Sequence, residues 1–200
     1  MTQNIANPDR PQRTLVFGGA RSGKSAHAEA LAQAAGKPVI YIATAAAGDA
    51  EMAARIRLHR EQRAQHGAHW STLEEKMNLG AALREHTRAD KVVLIDCLTV
   101  WLSNLLFADG IEREYPEIGR VDPPAAFAEQ RADFLDALAQ ARGEVIMVSN
   151  EVGMGIVPQG AISRWFVDEA GRLNQAVAAR SERVQWVAAG LPLTLKGAPC

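Results

Sequence analysis

Two stretches of this 200-residue chain carry residue types that do phosphate chemistry. The first is Gly18-Gly19-Ala20-Arg21-Ser22-Gly23-Lys24-Ser25, which matches the spacing G-x-x-x-x-G-K-[ST]. Glycines at these positions let backbone N–H groups wrap phosphate oxygens, and a helix starting there adds partial positive charge. Lys24 then reaches the β- and γ-phosphates of a nucleoside triphosphate, and the Ser25 hydroxyl joins a Mg2+ shell. The second stretch is Val92-Val93-Leu94-Ile95-Asp96, four aliphatic residues ending in an acid. An acid at the end of a buried strand is the usual second half of such a site, facing the metal. Alone it is weak, because many strands end in an Asp that only caps a turn. Paired with Gly18–Ser25 it marks Asp96, with Ser25, as a metal ligand.

A third constellation narrows the chemistry. Between Asp49 and Arg63 the chain holds Arg55, Arg57, His59, Arg60 and Arg63. Residues four apart share a helical face, so Arg55, His59 and Arg63 fall on one stripe. A histidine flanked by guanidinium groups is biased toward its neutral form. A neutral imidazole nitrogen can attack phosphorus while arginines hold the phosphates. On spacing alone, a solvated surface helix with Glu51–Arg55 as an i,i+4 pair accounts for the same residues and is the commoner use of this pattern.

The elements that must position these groups follow from hydrophobic patterning. Thr14–Phe17 is a short apolar run before the glycine-rich turn, and Ala26–Ala35 is rich in helix formers and ends at Gly36-Lys37-Pro38. Strand, turn and helix is the context a phosphate loop requires. Val39–Ala43 reads as a second buried strand, with the small-residue turn Thr44–Gly48 at its carboxyl end. Asp49 caps a helix over Ala50–Gln65. Trp70–Leu73 reads as a short extended piece, and Asn78–Thr87, Leu98–Phe107, Ala125–Arg142 and Ile162–Arg180 as helices. Glu144–Val148, Arg183–Ala188 and Leu191–Lys196 read as strands, the last two around Gly190. Asp109–Pro124, with its prolines and glycines, is the longest irregular segment and suits a lid or an interface. Strands alternating with helices predict an α/β fold with a mostly parallel sheet and helices on both faces. We expect a flexible lead-in over residues 1–12 and a single nucleotide-binding catalytic domain over 13–200.

Composition bounds the function classes. A net charge of −1 gives no global basic field for nucleic acid or a membrane surface. The apolar stretch Val92–Phe107 contains Asp96, Thr99, Ser103 and Asn104 and is short for a membrane span. Two widely spaced cysteines, Cys97 and Cys200, suit a reducing cytoplasm better than a disulfide framework. His27, His66, His69 and His86 have no comparable charged setting. A phosphate loop alone admits a single-activity kinase acting on another alcohol, or a RecA-like ATPase working on nucleic acid or a partner protein.

Several blocks together resemble the bifunctional adenosylcobinamide kinase / adenosylcobinamide-phosphate guanylyltransferase family of cobalamin biosynthesis. They are Gly18–Ser25, Tyr41-Ile42-Ala43-Thr44, Glu51-Met52-Ala53-Ala54-Arg55-Ile56-x-x-His59-Arg60-x-x-Arg63 and Trp70-x-Thr72-x-Glu74. Asp96-Cys97-Leu98-Thr99-x-Trp101-Leu102-x-Asn104-Leu105-Leu106 and Ser149–Pro158 complete the set, spanning residues 18 to about 175. The spacer from Arg63 to Trp70 is longer than is usual in that family and lacks its Arg-Pro. The resemblance implies a RecA-like P-loop fold, a corrinoid acceptor, GTP and ATP as substrates, Mg2+, and a homo-oligomer, a trimer. It also implies a guanylylated histidine at His59. Nucleotide contacts would map onto Gly18–Ser25, onto Ala43, Thr44 and Ala45, onto Arg60, Glu61, Gln62 and Arg63, and onto Glu74 and Asp96.

Overall fold

The computed structural model describes residues 12–45, 69–108 and 115–197. The lead-in up to residue 11 and the helix expected over Ala50–Gln65, with His59 and its arginines, lie outside the described residues, as does part of the 109–124 segment.

Seven strands form one sheet: β1 (Arg13–Gly18), β2 (Val39–Ala43), β3 (Trp70–Glu74), β4 (Val92–Asp96), β5 (Glu144–Asn150), β6 (Arg183–Ala188) and β7 (Leu191–Lys196). Their order is β3-β2-β4-β5-β1-β6-β7. All pairings are parallel except β6 with β7, which is antiparallel. β4 and β5 are aliphatic without alternation, and residues 92–95 and 145–148 are almost wholly buried. Strands with both faces covered need no polar side.

The five described helices divide unequally between the two faces. Helix α1 (Lys24–Ala34) lies on one, where Ala28 and Ala32, four apart and fully buried, pack with Val16, Tyr41, Leu94 and Val148. Helices α2 (Leu79–His86), α3 (Leu98–Leu106), α4 (Ala125–Gln140) and α5 (Ala161–Arg180) cover the other. There Trp101 and Phe134 meet with ring centroids 5.0 Å apart, and Phe127 and Trp165 at 4.8 Å. Trp101 Nε1 also donates to the Met77 carbonyl at 2.8 Å, so this buried indole keeps its hydrogen bond.

Register decides what the carboxyl edge brings together. Gly18 lies beside Asn150, while Asp96 lies beside Ala43, which lies beside Glu74. From β1 the chain crosses to β2 on one side of β1, and from β5, on that same side, it crosses over β1 to β6 on the other. The phosphate loop therefore leaves the sheet at its switch point, where open α/β sheets bind ligands.

Two details correct the sequence-based expectations. Helix α1 starts at Lys24 rather than Ala26, because Gly23 at φ 92 turns the chain sharply into the helix. Strand β5 continues past Val148 to Asn150, since β1 offers a parallel partner as far as Gly18.

Candidate active site

The phosphate loop is held from below by the turn of a distant hairpin. Ala189 at φ 52 and Gly190 at φ 80 form the two-residue turn between β6 and β7. Positive φ at both central positions matches the right-handed twist of a hairpin. Gly190 N–H donates to the Ser22 carbonyl at 2.8 Å. A Cβ on Gly23 would lie 3.0 Å from the Gly190 Cα, and one on Gly18 would lie 2.2 Å from the Val187 carbonyl oxygen. The loop thus seats directly on backbone, which only glycine allows. Gly18→Ala should destabilise the protein by about 2 kcal/mol, read as a lower denaturation midpoint, and weaken nucleotide binding with it.

Lys24 is only 8% exposed, and its Nζ donates to the Gly19 carbonyl at 3.1 Å, folding across the loop it serves. Burial pushes the Lys24 ammonium below its ordinary pKa, while proximity to Cys97 and to the Asp96 carboxylate pushes it back up. Lys24, Cys97 and Asp96 therefore form one electrostatic unit, although β5 separates their strands. Asp96 Oδ2 accepts a hydrogen bond from the Tyr41 hydroxyl at 2.9 Å, which fixes the carboxylate at the sheet edge.

Cys97 is buried, and its thiol is pushed up to about 11. Burial is the main cause and the Asp96 charge adds to it, against weaker help from the Val100 and Thr99 amides and Lys24. A thiol that stays protonated is no nucleophile at neutral pH. Moving from 9.0 to about 11 lowers the thiolate fraction about a hundred-fold. Cys97 in the native protein should accordingly resist iodoacetamide at pH 8 and become reactive on denaturation, as peptide mapping would show.

Thr44 acts as a clasp. Its Oγ1 donates to the Cys97 carbonyl and accepts from the Cys97 N–H, both at 2.8 Å, and its own N–H donates to the Asp96 carbonyl at 3.2 Å. The Thr44 hydroxyl is thus engaged in joining the end of β2 to the end of β4. Asn104 extends the clasp, its Nδ2 donating to the Thr44 carbonyl at 2.9 Å and to the Lys76 carbonyl at 3.1 Å.

On the other side of Asp96, Asn150 N–H donates to Thr99 Oγ1 at 2.7 Å, and Asn174 Nδ2 donates to the Asn150 carbonyl at 3.2 Å. Ser149 Oγ donates to Asn174 Oδ1 at 2.6 Å. This network anchors the end of β5 to α3 and α5. Thr99, Asn104 and Ser149 sit in the blocks that carried the family resemblance, but their spacing suggested no role. The partners are far apart in sequence, and a polar residue in a helix or strand announces none.

Gly18–Ser25, Ala43, Thr44, Ala45, Glu74 and Asp96 thus share one edge of the sheet. Ser25 stands in the first turn of α1 beside Lys24. His59, Arg60, Glu61, Gln62 and Arg63 lie outside the described residues. Ser25 hydroxyl and Asp96 carboxylate are hard oxygen donors of the kind Mg2+ takes. No cluster of three or more acidic, His or Cys side chains able to cage a metal occurs among the described residues. A site with one or two protein ligands suits an ion carried in by nucleotide phosphates.

A family model described as cobinamide kinase / cobinamide phosphate guanyltransferase matches residues 14–195. The chain belongs to this family. The bifunctional adenosylcobalamin biosynthesis protein of Pseudomonas aeruginosa is 50% identical over 187 residues, covering 94% of this chain and 99% of its own. Its Escherichia coli counterpart is 40% identical over 182 residues, covering 91% and 98%. At the level of fold, an ATP synthase subunit from Nanoarcheaum equitans superposes with a TM-score of 0.52 at 15% identity, covering 90% of this chain and 46% of its own. The chain thus has a mostly parallel, P-loop α/β architecture. No described helix is long and apolar enough to cross a membrane.

Proposed function

We propose that this protein carries out two successive reactions on nucleotide held by the Gly18–Ser25 loop. In the first, the γ-phosphoryl group of GTP or ATP passes to the hydroxyl of adenosylcobinamide. The acceptor oxygen forms a bond to the γ-phosphorus, the bond to the β-phosphate oxygen breaks with the nucleoside diphosphate leaving, and the hydroxyl proton is released to water. In the second, a His59 imidazole nitrogen attacks the α-phosphorus of GTP and pyrophosphate leaves. A phosphate oxygen of adenosylcobinamide phosphate then displaces His59 from that phosphorus, giving adenosylcobinamide-GDP and free histidine. A covalent nucleophile splits one hard displacement into two easier ones.

The observation that carries this reading is that Lys24 and Asp96 stand close enough at the switch point to influence each other's charge, in a chain that matches the family over residues 14–195. Phosphoryl transfer needs positioning and charge neutralisation more than covalent chemistry. Lys24 and the loop amides supply both, and the hairpin turn under Ser22 and Gly23 pre-sets the loop. Ser25 and Asp96 would hold Mg2+, which would supply positive charge against the phosphates. The same grip on the β- and γ-phosphates in the second reaction is a grip on the leaving pyrophosphate. Arg60 to Arg63 and Glu74 complete the nucleotide contacts in this reading, and the enzyme works in the cytoplasm as a homo-oligomer, a trimer by family resemblance.

Incubation with GTP and adenosylcobinamide, followed by mass spectrometry, tests the reading. Adenosylcobinamide phosphate, adenosylcobinamide-GDP and pyrophosphate should appear. Phosphate ester alone would point to a single-activity kinase, and hydrolysis stimulated by single-stranded DNA to a nucleic-acid ATPase.

A further inference from the structure

The loop between β5 and α5 presents its largest apolar side chains to solvent. Met154 is 77% exposed, Ile156 98% and Val157 73%, with Val152 beside them. Proteins rarely display such side chains together without a partner for them. The loop is a built feature. Glu151 N–H donates to the Gly18 carbonyl at 3.0 Å, so the loop leaves from the first residue of the phosphate cradle. Glu151 Oε1 accepts from Gly153 N–H at 2.6 Å, which turns the chain there. At the far end the Arg164 guanidinium donates to the carbonyls of Pro158 and Gln159. Ala161 N–H donates to the Glu117 carbonyl at 3.0 Å, which places the 115–118 segment, with Ile118 83% exposed, alongside the start of α5.

Charge selects the kind of ligand. From residue 152 to residue 163 the chain carries no ionisable side chain. Nucleotide binding uses the charged cradle, so an uncharged apolar platform that starts beside Gly18, at Val152, fits the other substrate. That substrate's hydroxyl must reach the γ-phosphate above Lys24, while its bulk must lie somewhere beside the cradle. A corrin macrocycle is broad, with methyl-bearing faces and neutral amide arms, and it matches a platform of Val, Met and Ile.

We infer that Val152, Met154, Ile156 and Val157, with Ile118, form the surface on which the corrinoid ring of the acceptor rests during phosphoryl transfer. The inference rests on the function proposed above and adds to it the site of the acceptor. Ile156 is the strongest probe, because a side chain that is 98% exposed contributes nothing to the folded core.

The test is steady-state phosphorylation of adenosylcobinamide by full-length wild type, Ile156→Asp, Met154→Asp and the conservative Ile156→Leu, with subunit mass in solution measured alongside. The aspartates should raise KM for adenosylcobinamide about tenfold, which corresponds to about 1.4 kcal/mol. KM for the nucleotide, the thermal transition and the subunit mass should stay unchanged, and Ile156→Leu should behave as wild type. An unchanged acceptor KM in both aspartate variants would overturn the inference while leaving the function standing. A drop in subunit mass in the aspartate variants would overturn it in favour of a contact between copies. Wild-type protein unable to phosphorylate adenosylcobinamide would remove the function and this inference together.

Discussion

Lys24→Ala should lower phosphoryl transfer to adenosylcobinamide about a hundred- to a thousand-fold, the usual effect of deleting one preorganised charge-stabilising group. The loss should fall mainly on kcat. In the proposed reaction Lys24 acts on charge that redistributes over the β- and γ-phosphate oxygens as the bond breaks, so it would serve the transition state more than the ground state. The same substitution should slow formation of the covalent guanylyl adduct to a similar degree, because in the proposed reaction the same ammonium would hold the leaving pyrophosphate. The fold should survive. The Lys24 ammonium is pushed below its usual pKa by burial, so the uncomplexed protein already bears a desolvation penalty that alanine removes. Circular dichroism should show an unchanged spectrum, and the thermal transition should not fall. Equal losses in both reactions are the result that links them to one lysine; a loss confined to phosphoryl transfer would place guanylylation elsewhere.

His59→Asn should divide the two activities. Labelling of the protein by GTP carrying the label at its α-phosphate should disappear, and production of adenosylcobinamide-GDP should fall at least about a thousand-fold, as when a covalent nucleophile is removed. Phosphoryl transfer should persist at a rate within the same order of magnitude as wild type, since Lys24, the loop amides and Asp96 are untouched. Asparagine keeps hydrogen-bonding ability and comparable bulk while losing the nucleophilic nitrogen. Labelled protein in this variant, with the label mapped to another residue, would exclude His59 as the carrier of GMP.

The parts of the site that were legible in the sequence are those written in local spacing. Lys24 and Ser25 follow from a motif only eight residues long, and Asp96 from an aliphatic run that ends in an acid. Each encodes its own geometry, a turn into a helix or a strand into an edge. His59 is different: spacing alone favoured a surface helix, and family resemblance selected the catalytic reading. The strand order was illegible for a physical reason. Runs such as Val92–Ile95 and Val145–Val148 are apolar on both faces and so carry no mark of which neighbour or register they take. Only pairing in three dimensions sets Glu74, Ala43 and Asp96 side by side.

The supports of the site were equally hidden. The seat of the phosphate loop on Gly190, the clasp of Thr44 on Cys97 and the tie from Asn150 through Asn174 all join residues distant in the chain. Small and polar residues show no periodicity that would announce such pairings. Pro192 did hold a readable signal, since a proline inside a strand confines it to an edge, and β7 is the outermost strand of the sheet.

In the proposed function one phosphate cradle, Gly18–Ser25, serves both reactions. Pyrophosphate, the product of the second, therefore must occupy the cradle that the first reaction needs. The decisive measurement is inhibition by pyrophosphate of ATP-dependent phosphorylation of adenosylcobinamide, with ATP varied at fixed acceptor. Shared use of the loop predicts inhibition strictly competitive with ATP, with the same inhibition constant that pyrophosphate shows against GTP in adduct formation. Noncompetitive inhibition, or none at pyrophosphate levels that block the adduct, would contradict it.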